Sequence, residues 1–190
     1  MRKIILASHS PRRAHLLKQI GIPFTVMGSD VPEDVDVPTD PEAHVLTLSR
    51  RKAEWAAERI REGVVLGVDT IVVLDDCILG KPEDAAEAAL MLRRLSGRWH
   101  RVFSGMTLID VNNLPQARST SDFCVTKVKM RPISEAEIAR YVATGEPMDK
   151  AGAYGIQGKG AVFVERIEGC FYNVVGLPLS RLVRMLDGCW

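Results

Sequence analysis

Four cations and two carboxylates hold most of the chemistry this sequence offers. Arg12 and Arg13 follow Ser8-His9-Ser10-Pro11, directly after the apolar run Ile4 to Ala7. That order reads as a short buried strand, a loop with Ser10 as N-cap, and a helix opened by Pro11 and closed near Gly21. Both arginines then sit in the first turn, where the helix dipole disfavours a cation by about 0.3–1 kcal/mol each. A bound anion removes the penalty, so Ser8, Arg12, Arg13 and the free backbone N–H groups read as a phosphate cradle without a glycine-rich loop. The competing reading is two solvated arginines on a surface helix.

Asp69 is the one charge in Val64 to Leu74, an eleven-residue apolar run. A carboxylate buried in such a strand must be paired, metal-bound or neutral, because burying it bare costs several kcal/mol. This makes Asp69 the catalytic candidate, against the alternative of a structural carboxylate bonded to nearby backbone. Gly67 is on the same strand face and is expected to leave open space for a ligand. Lys52 falls on the inward face of a helix over 41–61, among Val45, Leu48, Trp55 and Ala56, which span about 100° of the helical wheel. Its ammonium either snorkels out along the apolar face or reaches into a cleft toward phosphate. Lys81, between Gly80 and Pro82, is held on a restrained loop. Arg12, Arg13, Lys52 and Lys81 suit one polyphosphate, and Glu33 and Asp69 suit the divalent metal such a substrate brings. In the glycine- and alanine-rich stretch 149–160, Gln157 carries a donor and an acceptor on one amide, the equipment for reading a nucleobase edge, and Tyr154 is placed to pack beside a ring. A plain glycine-rich turn is the other reading of that stretch.

The elements that must position these residues alternate. Strand patterns at 3–7, 24–27, 64–74, 99–110 and 121–130 interleave with helical patterns at 11–20, 41–61, 83–95 and 134–143, which predicts a mixed α/β fold. A closing strand pair is expected within 161–175, turned at Gly169, followed by a helix from Pro178 to Leu186. The chain of 190 residues, 46% hydrophobic and 26% charged, is large enough for one core and short for two. Its 25 Lys and Arg against 24 Asp and Glu leave a net charge of +1, which argues against a dedicated nucleic-acid binder and requires any basic patch to be local. No apolar run is long enough for a membrane span and no signal-peptide pattern is present, so a cytoplasmic protein is expected. Cys77, Cys124, Cys170 and Cys189 show no Cys-x-x-Cys spacing. His9 lies within the cradle and is a candidate ligand contact. His15, His44 and His100 show no ligand spacing and read as surface or core residues.

Five blocks resemble the Maf family of nucleotide pyrophosphatases, also called septum-formation inhibitors. They are Ser-His-Ser-Pro-Arg-Arg at 8–13, Gly-Val-Asp-Thr at 67–70, Gly-Lys-Pro at 80–82, Asp-Lys-Ala-Gly-Ala-Tyr-Gly-Ile-Gln-Gly at 149–158, and Val-Gly-Leu-Pro-Leu at 175–179. The resemblance runs nearly the whole chain. It implies a single Maf-like domain over 1–190: a mixed central β-sheet flanked by helices, bilobed with a cleft, as in ITPase-like folds. It also implies a homodimer. The reaction implied is cleavage of a nucleoside triphosphate between its α and β phosphates, with magnesium or manganese as cofactor. Asp69 is then the catalytic acidic residue, with Arg13, Glu33, Lys52 and Lys81 around phosphate and metal. Arg12, Thr70 and Gln157 match the branch similar to dTTP/UTP pyrophosphatases, modified pyrimidine nucleotides included. The branch acting on 7-methyl-GTP carries bulkier or acidic residues there. Arg51 departs from the family pattern, in which a glutamate usually precedes the lysine. Two other functions fit parts of the same pattern: a nucleotide-binding regulator of cell division without turnover, and a phosphatase acting on terminal phosphates.

Overall fold

The computed structural model describes residues 4–32, 37, 39–113 and 118–186. Among them seven strands form one mixed sheet of order β2-β1-β3-β5-β6-β7, with β4 paired to β3. The strands are β1 (Ile4–Ala7), β2 (Phe24–Val26), β3 (Val64–Leu74), β4 (Cys77–Leu79), β5 (Trp99–Asp110), β6 (Arg118–Met130) and β7 (Val164–Glu168). The helices are α1 (Pro11–Gln19), α2 (Pro41–Ala57), α3 (Ala85–Leu95), α4 (Glu135–Val142), α5 (Phe171–Val175) and α6 (Leu179–Leu186). Among the described residues no helix is long and apolar enough to cross a membrane.

The chain divides into two compact units: Met1–Asp69 with Ser104–Cys124 and Gly176–Trp190, and Thr70–Phe103 with Val125–Val175. In the first, β1 pairs in parallel with both β2 and β3. Parallel strands joined through helices are covered on both faces, which is why Ile4 to Ala7 reads as an unbroken apolar run and is buried throughout. Helix α2 starts at the expected proline, with the Asp40 carboxylate accepting from the Ala43 amide at 2.9 Å. It ends at Ala57, short of 61. Its Ala53 and Ala56 pack with Ile5, Ala7, Val65, Ile109 and Val111. Two glycines set how closely α2 lies on the sheet. A Cβ on Gly67 would overlap the Ser49 carbonyl oxygen and stand 2.7 Å from the Ala53 nitrogen, and one on Gly105 would overlap the Val45 carbonyl.

In the second unit, β3 and β4 form a hairpin in which Leu74 faces Cys77 across Asp75-Asp76, whose φ angles are 50° and 61°. Two successive positive φ angles make a two-residue turn matched to the strand twist, and aspartate tolerates them better than most residues. Val72 and Leu74 pack with Leu92 and Leu95 of α3, Ile138 and Tyr141 of α4, and Ala153, Tyr154 and Phe163 beyond. Helix α3 is capped by Asp84, and α4 by a reciprocal Ser134–Glu137 capping box.

The expected strand pair within 161–175 is one strand and one helix. β7 runs antiparallel to β6, Val128 facing Ile167, and after Gly169 the chain enters α5 instead of returning as a strand. The Asn173 amide donates at 3.0 Å to both the Val102 carbonyl and Thr126 Oγ1, giving the helix a buried polar anchor that a strand pattern does not encode.

Candidate active site

Ser8 and Arg13 meet at the β1–α1 junction. Ser8 Oγ accepts from the Ser10 amide at 3.2 Å and from Arg13 Nη1 at 2.8 Å, while Arg13 Nε donates to the Gly176 carbonyl at 3.0 Å. Arg13 is 9% exposed, so the reading of two solvated arginines fails for it. Its charge beside the α1 N-terminus is offset by a hydroxyl and a carbonyl that accept its N–H groups. Arg12, beside it, is half-buried. Ser10 occupies the N-cap position with extended backbone, but its side chain makes no capping bond. The serine bonded to the loop backbone is Ser8. His9 points outward, exposed, with Nε2 3.2 Å from Asp30 Oδ1, and its imidazole fills the place a Cβ on Gly28 would take.

Lys52 and Asp69 form the centre of the first unit's chemistry. Lys52 Nζ donates to Asp69 Oδ1 at 2.7 Å, with the two side chains only 7% and 8% exposed. The lysine therefore does not snorkel out; it pairs with a carboxylate on the adjacent strand. The role expected of Gly67 changes as well. It leaves no open space for a ligand, because the helix backbone occupies the place of its missing side chain. That close approach brings Lys52 within a hydrogen bond of Asp69, two residues along the same strand face.

Asp69 Oδ2 is buried and, among the described residues, has no hydrogen-bond partner. Such an oxygen costs about 1–3 kcal/mol unless something supplies a donor or a cation. It is the hard oxygen ligand that magnesium or manganese takes, so the residue fits a metal. Glu33, the second expected metal ligand, lies outside the described residues. Among the described residues no group of three or more His, Cys, Asp or Glu side chains stands together as a ready metal cage.

The remaining expected residues belong to the second unit. Thr70 is half-buried and directly follows Asp69 in β3. Lys81 is exposed on the loop after β4, which is pinned where the Gly152 amide donates to the Gly80 carbonyl at 2.9 Å. Gly152 has φ +67°, and a Cβ on it would stand 3.0 Å from Val72, so the loop needs glycine there for both backbone and space. Gln157 is exposed immediately before a 3-10 turn over Gly158–Phe163. Tyr154 differs from expectation. It is 5% exposed, its hydroxyl lies 2.7 Å from His100 Nε2, and the two rings meet edge to face. The ring beside Tyr154 is thus the protein's own histidine. Burial pushes the His100 imidazole down to about 4 and the Tyr154 phenol up, so both are neutral at physiological pH.

The expected residues thus divide into two sets, Ser8, Arg12, Arg13, Lys52 and Asp69 in the first unit and Thr70, Lys81 and Gln157 in the second. Sequence reasoning missed the Gly176 carbonyl under Arg13, the His100 beneath Tyr154, and a Tyr141–Glu146 pair under the Gln157 loop. Only the block Val-Gly-Leu-Pro-Leu hinted at the first. The others are separated from their partners by 13 or more residues, or carry no motif.

The Maf-like protein family matches residues 3–189 of the chain. A dTTP/UTP pyrophosphatase of Carboxydothermus hydrogenoformans is 52% identical over 184 residues, covering 97% of each chain. Proteins of the same name from Dictyoglomus turgidum and Bacillus cytotoxicus are 51% and 48% identical, over 98% of this chain and 96% and 95% of theirs. The structure of the Staphylococcus aureus Ham1 protein superposes with a TM-score of 0.51 over the whole of both chains at 14% identity, a likeness of fold alone. A family match from residue 3 to residue 189, with relatives at about half identity from end to end, means that this chain belongs to the Maf family.

Proposed function

We propose that this chain, acting as one domain over 1–190, hydrolyses dTTP and UTP to the monophosphate and pyrophosphate, removing unwanted pyrimidine nucleotides, modified ones included. The observation that carries the reading is the buried Asp69, one oxygen held by Lys52 and the other unpartnered among the described residues, in a chain about half identical to proteins named dTTP/UTP pyrophosphatase.

Asp69 orients or deprotonates the water that attacks the α-phosphorus, and the pyrophosphate leaves without a covalent intermediate. Lys52, which donates to Asp69 Oδ1 at 2.7 Å, adds its positive charge to the set that meets the phosphates. Arg12, Arg13 and Lys81 bind the phosphates; Ser8 fixes the Arg13 guanidinium through its 2.8 Å bond. Asp69, with Glu33, would hold a magnesium or manganese ion, which supplies charge neutralisation at the phosphate oxygens when bound. Thr70 and Gln157, with Arg12, choose the base. The homodimer and cytoplasmic setting implied by the family resemblance complete the proposal.

Product analysis of the purified protein tests it, with magnesium or manganese and dTTP, UTP, CTP, dATP, GTP and 7-methyl-GTP. Monophosphate and pyrophosphate from dTTP and UTP are expected. Orthophosphate would indicate a terminal phosphatase, and tight binding with negligible turnover a regulator. Asp69→Asn is expected to bind nucleotide and lose turnover by at least a hundredfold; near-normal turnover would remove Asp69 from its catalytic role.

A further inference from the structure

The Gln157 loop has no strand ladder to hold its shape. Its six residues, 155–160, are fixed from beneath by two side chains of a neighbouring segment. Glu146 follows α4 at the start of a 3-10 turn, and its carboxylate reaches the far end of the loop. Oε2 accepts from the Lys159 amide at 3.0 Å, and Oε1 accepts from the Gly160 amide at 3.1 Å. The Tyr141 hydroxyl donates to the same Oε1 at 3.0 Å and accepts from the Gly155 amide at 3.3 Å. Both ends of the loop are thus tied to one carboxylate–phenol pair, and Gln157, between them, is exposed.

Two glycines record how closely the pair fills the underside of the loop. A Cβ on Gly158, where φ is +74°, would stand 2.9 Å from Glu146 Oε2, and one on Gly160 would stand 2.6 Å from the Tyr141 hydroxyl oxygen. The glycines of this stretch therefore serve close packing of the loop against Glu146 and Tyr141 as well as backbone freedom. Protonation is also settled. Burial raises the Tyr141 phenol, so it remains an O–H donor to Glu146. Burial pushes the Glu146 carboxyl upward, but the Lys159 and Gly160 amides and the Tyr141 hydroxyl outweigh it and hold the carboxyl below its ordinary range.

We propose that Glu146, bridged by Tyr141, is a positioning residue for base discrimination: it fixes the loop that presents the Gln157 amide, without touching the nucleotide itself. This rests on the reading of Gln157 as the residue that meets the base. The carboxylate is the right group because both of its oxygens must accept backbone N–H bonds. Glu146→Gln keeps the shape but places an NH2 donor against one of those amides, whichever way the side-chain amide turns.

The test compares kcat/KM for UTP and CTP, which differ at the base edge, in the full-length enzyme and in Glu146→Gln, Tyr141→Phe, Gln157→Ala and the Glu146→Gln/Gln157→Ala pair. Glu146→Gln is expected to lower the UTP:CTP ratio about tenfold, the worth of one well-placed hydrogen bond, through KM for UTP with kcat nearly unchanged. Tyr141→Phe, which removes the hydroxyl's bonds to Glu146 Oε1 and to the Gly155 amide but leaves Glu146 its two amide donors, is expected to lower it about threefold and decides the matter if Glu146→Gln does not fold. The double variant is expected to discriminate no worse than Gln157→Ala. A collapse of discrimination in Gln157→Ala with the ratio intact in folded Glu146→Gln and Tyr141→Phe would overturn the role of Glu146 and leave the base reading standing. An unchanged ratio in Gln157→Ala would overturn both.

Discussion

Replacing Lys52 by methionine isolates the energetics of the site. The wild-type ammonium lies 2.7 Å from Asp69 Oδ1, both side chains are more than nine-tenths buried, and Asp69 Oδ2 has no partner among the described residues. Methionine keeps the stem volume on the buried face of α2 that also carries Val45, Leu48 and Ala56, but leaves a carboxylate without its cation. Breaking one half of a buried pair costs about 3–5 kcal/mol. For a domain of this size each kcal/mol lowers Tm by about 2–4 °C, so a fall of roughly 6–20 °C is expected. Removing both charges, in Lys52→Met/Asp69→Asn, relieves the stranded charge and returns stability to within about 2 kcal/mol of wild type. Urea denaturation of the four proteins closes the cycle, with an expected coupling of about 2 kcal/mol or more between the positions. Turnover is lost in all three variants, so stability and activity part company in the double variant. A single Lys52→Met that loses less than about 1 kcal/mol would refute the buried pair and the electrostatic argument built on it.

Two further outcomes follow from the same geometry. Gly67→Ala forces α2 off the sheet, with an expected loss of about 1–3 kcal/mol and at least tenfold in turnover, because Lys52 moves with the helix; full activity would show that the close approach is not what aligns the pair. His100, held near 4 by burial against an ordinary 6.5, stays neutral in the folded chain while the unfolded chain takes up a proton between those values. The unfolded state binds more protons in that window, so stability rises with pH through it and is lost as pH falls from 6.5 toward 4, by roughly 3 kcal/mol in all. Urea midpoints at pH 7.5 and 4.5 should show this fall, and His100→Gln should flatten it; an equal slope in the variant would assign the acid sensitivity elsewhere.

The alternation of strand and helix was legible because each element carries its own period. β1 is apolar throughout and β3 is apolar but for Asp69 and Thr70, α2 shows an inward stripe, and Asp40-Pro41 and Ser134 with Glu137 mark helix starts. The closing segment was not. Residues 164–175 are apolar enough for two strands, and the choice of strand then helix depends on β6 and on the anchor that Asn173 finds at Val102 and Thr126. Tyr154 shows the same limit: an aromatic ring in a glycine-rich stretch suggests a ligand until His100 is found beside it.

Sequence alone determined which residues carry charge where charge is costly: Arg13 at a helix start, Asp69 in an apolar strand, Lys52 on an inward helical face. Those are local facts, readable from burial patterns and spacing. Tertiary structure decided how each cost is met. Asp69 is neutralised by Lys52 because Gly67 and Gly105 let a helix lie against the strand, Arg13 is satisfied by Ser8 and by a carbonyl 163 residues away, and the Gln157 loop rests on Glu146. A sequence pattern can announce that a buried charge needs a partner, but the partner's identity depends on which segments the fold brings within 3 Å, where hydrogen bonds form.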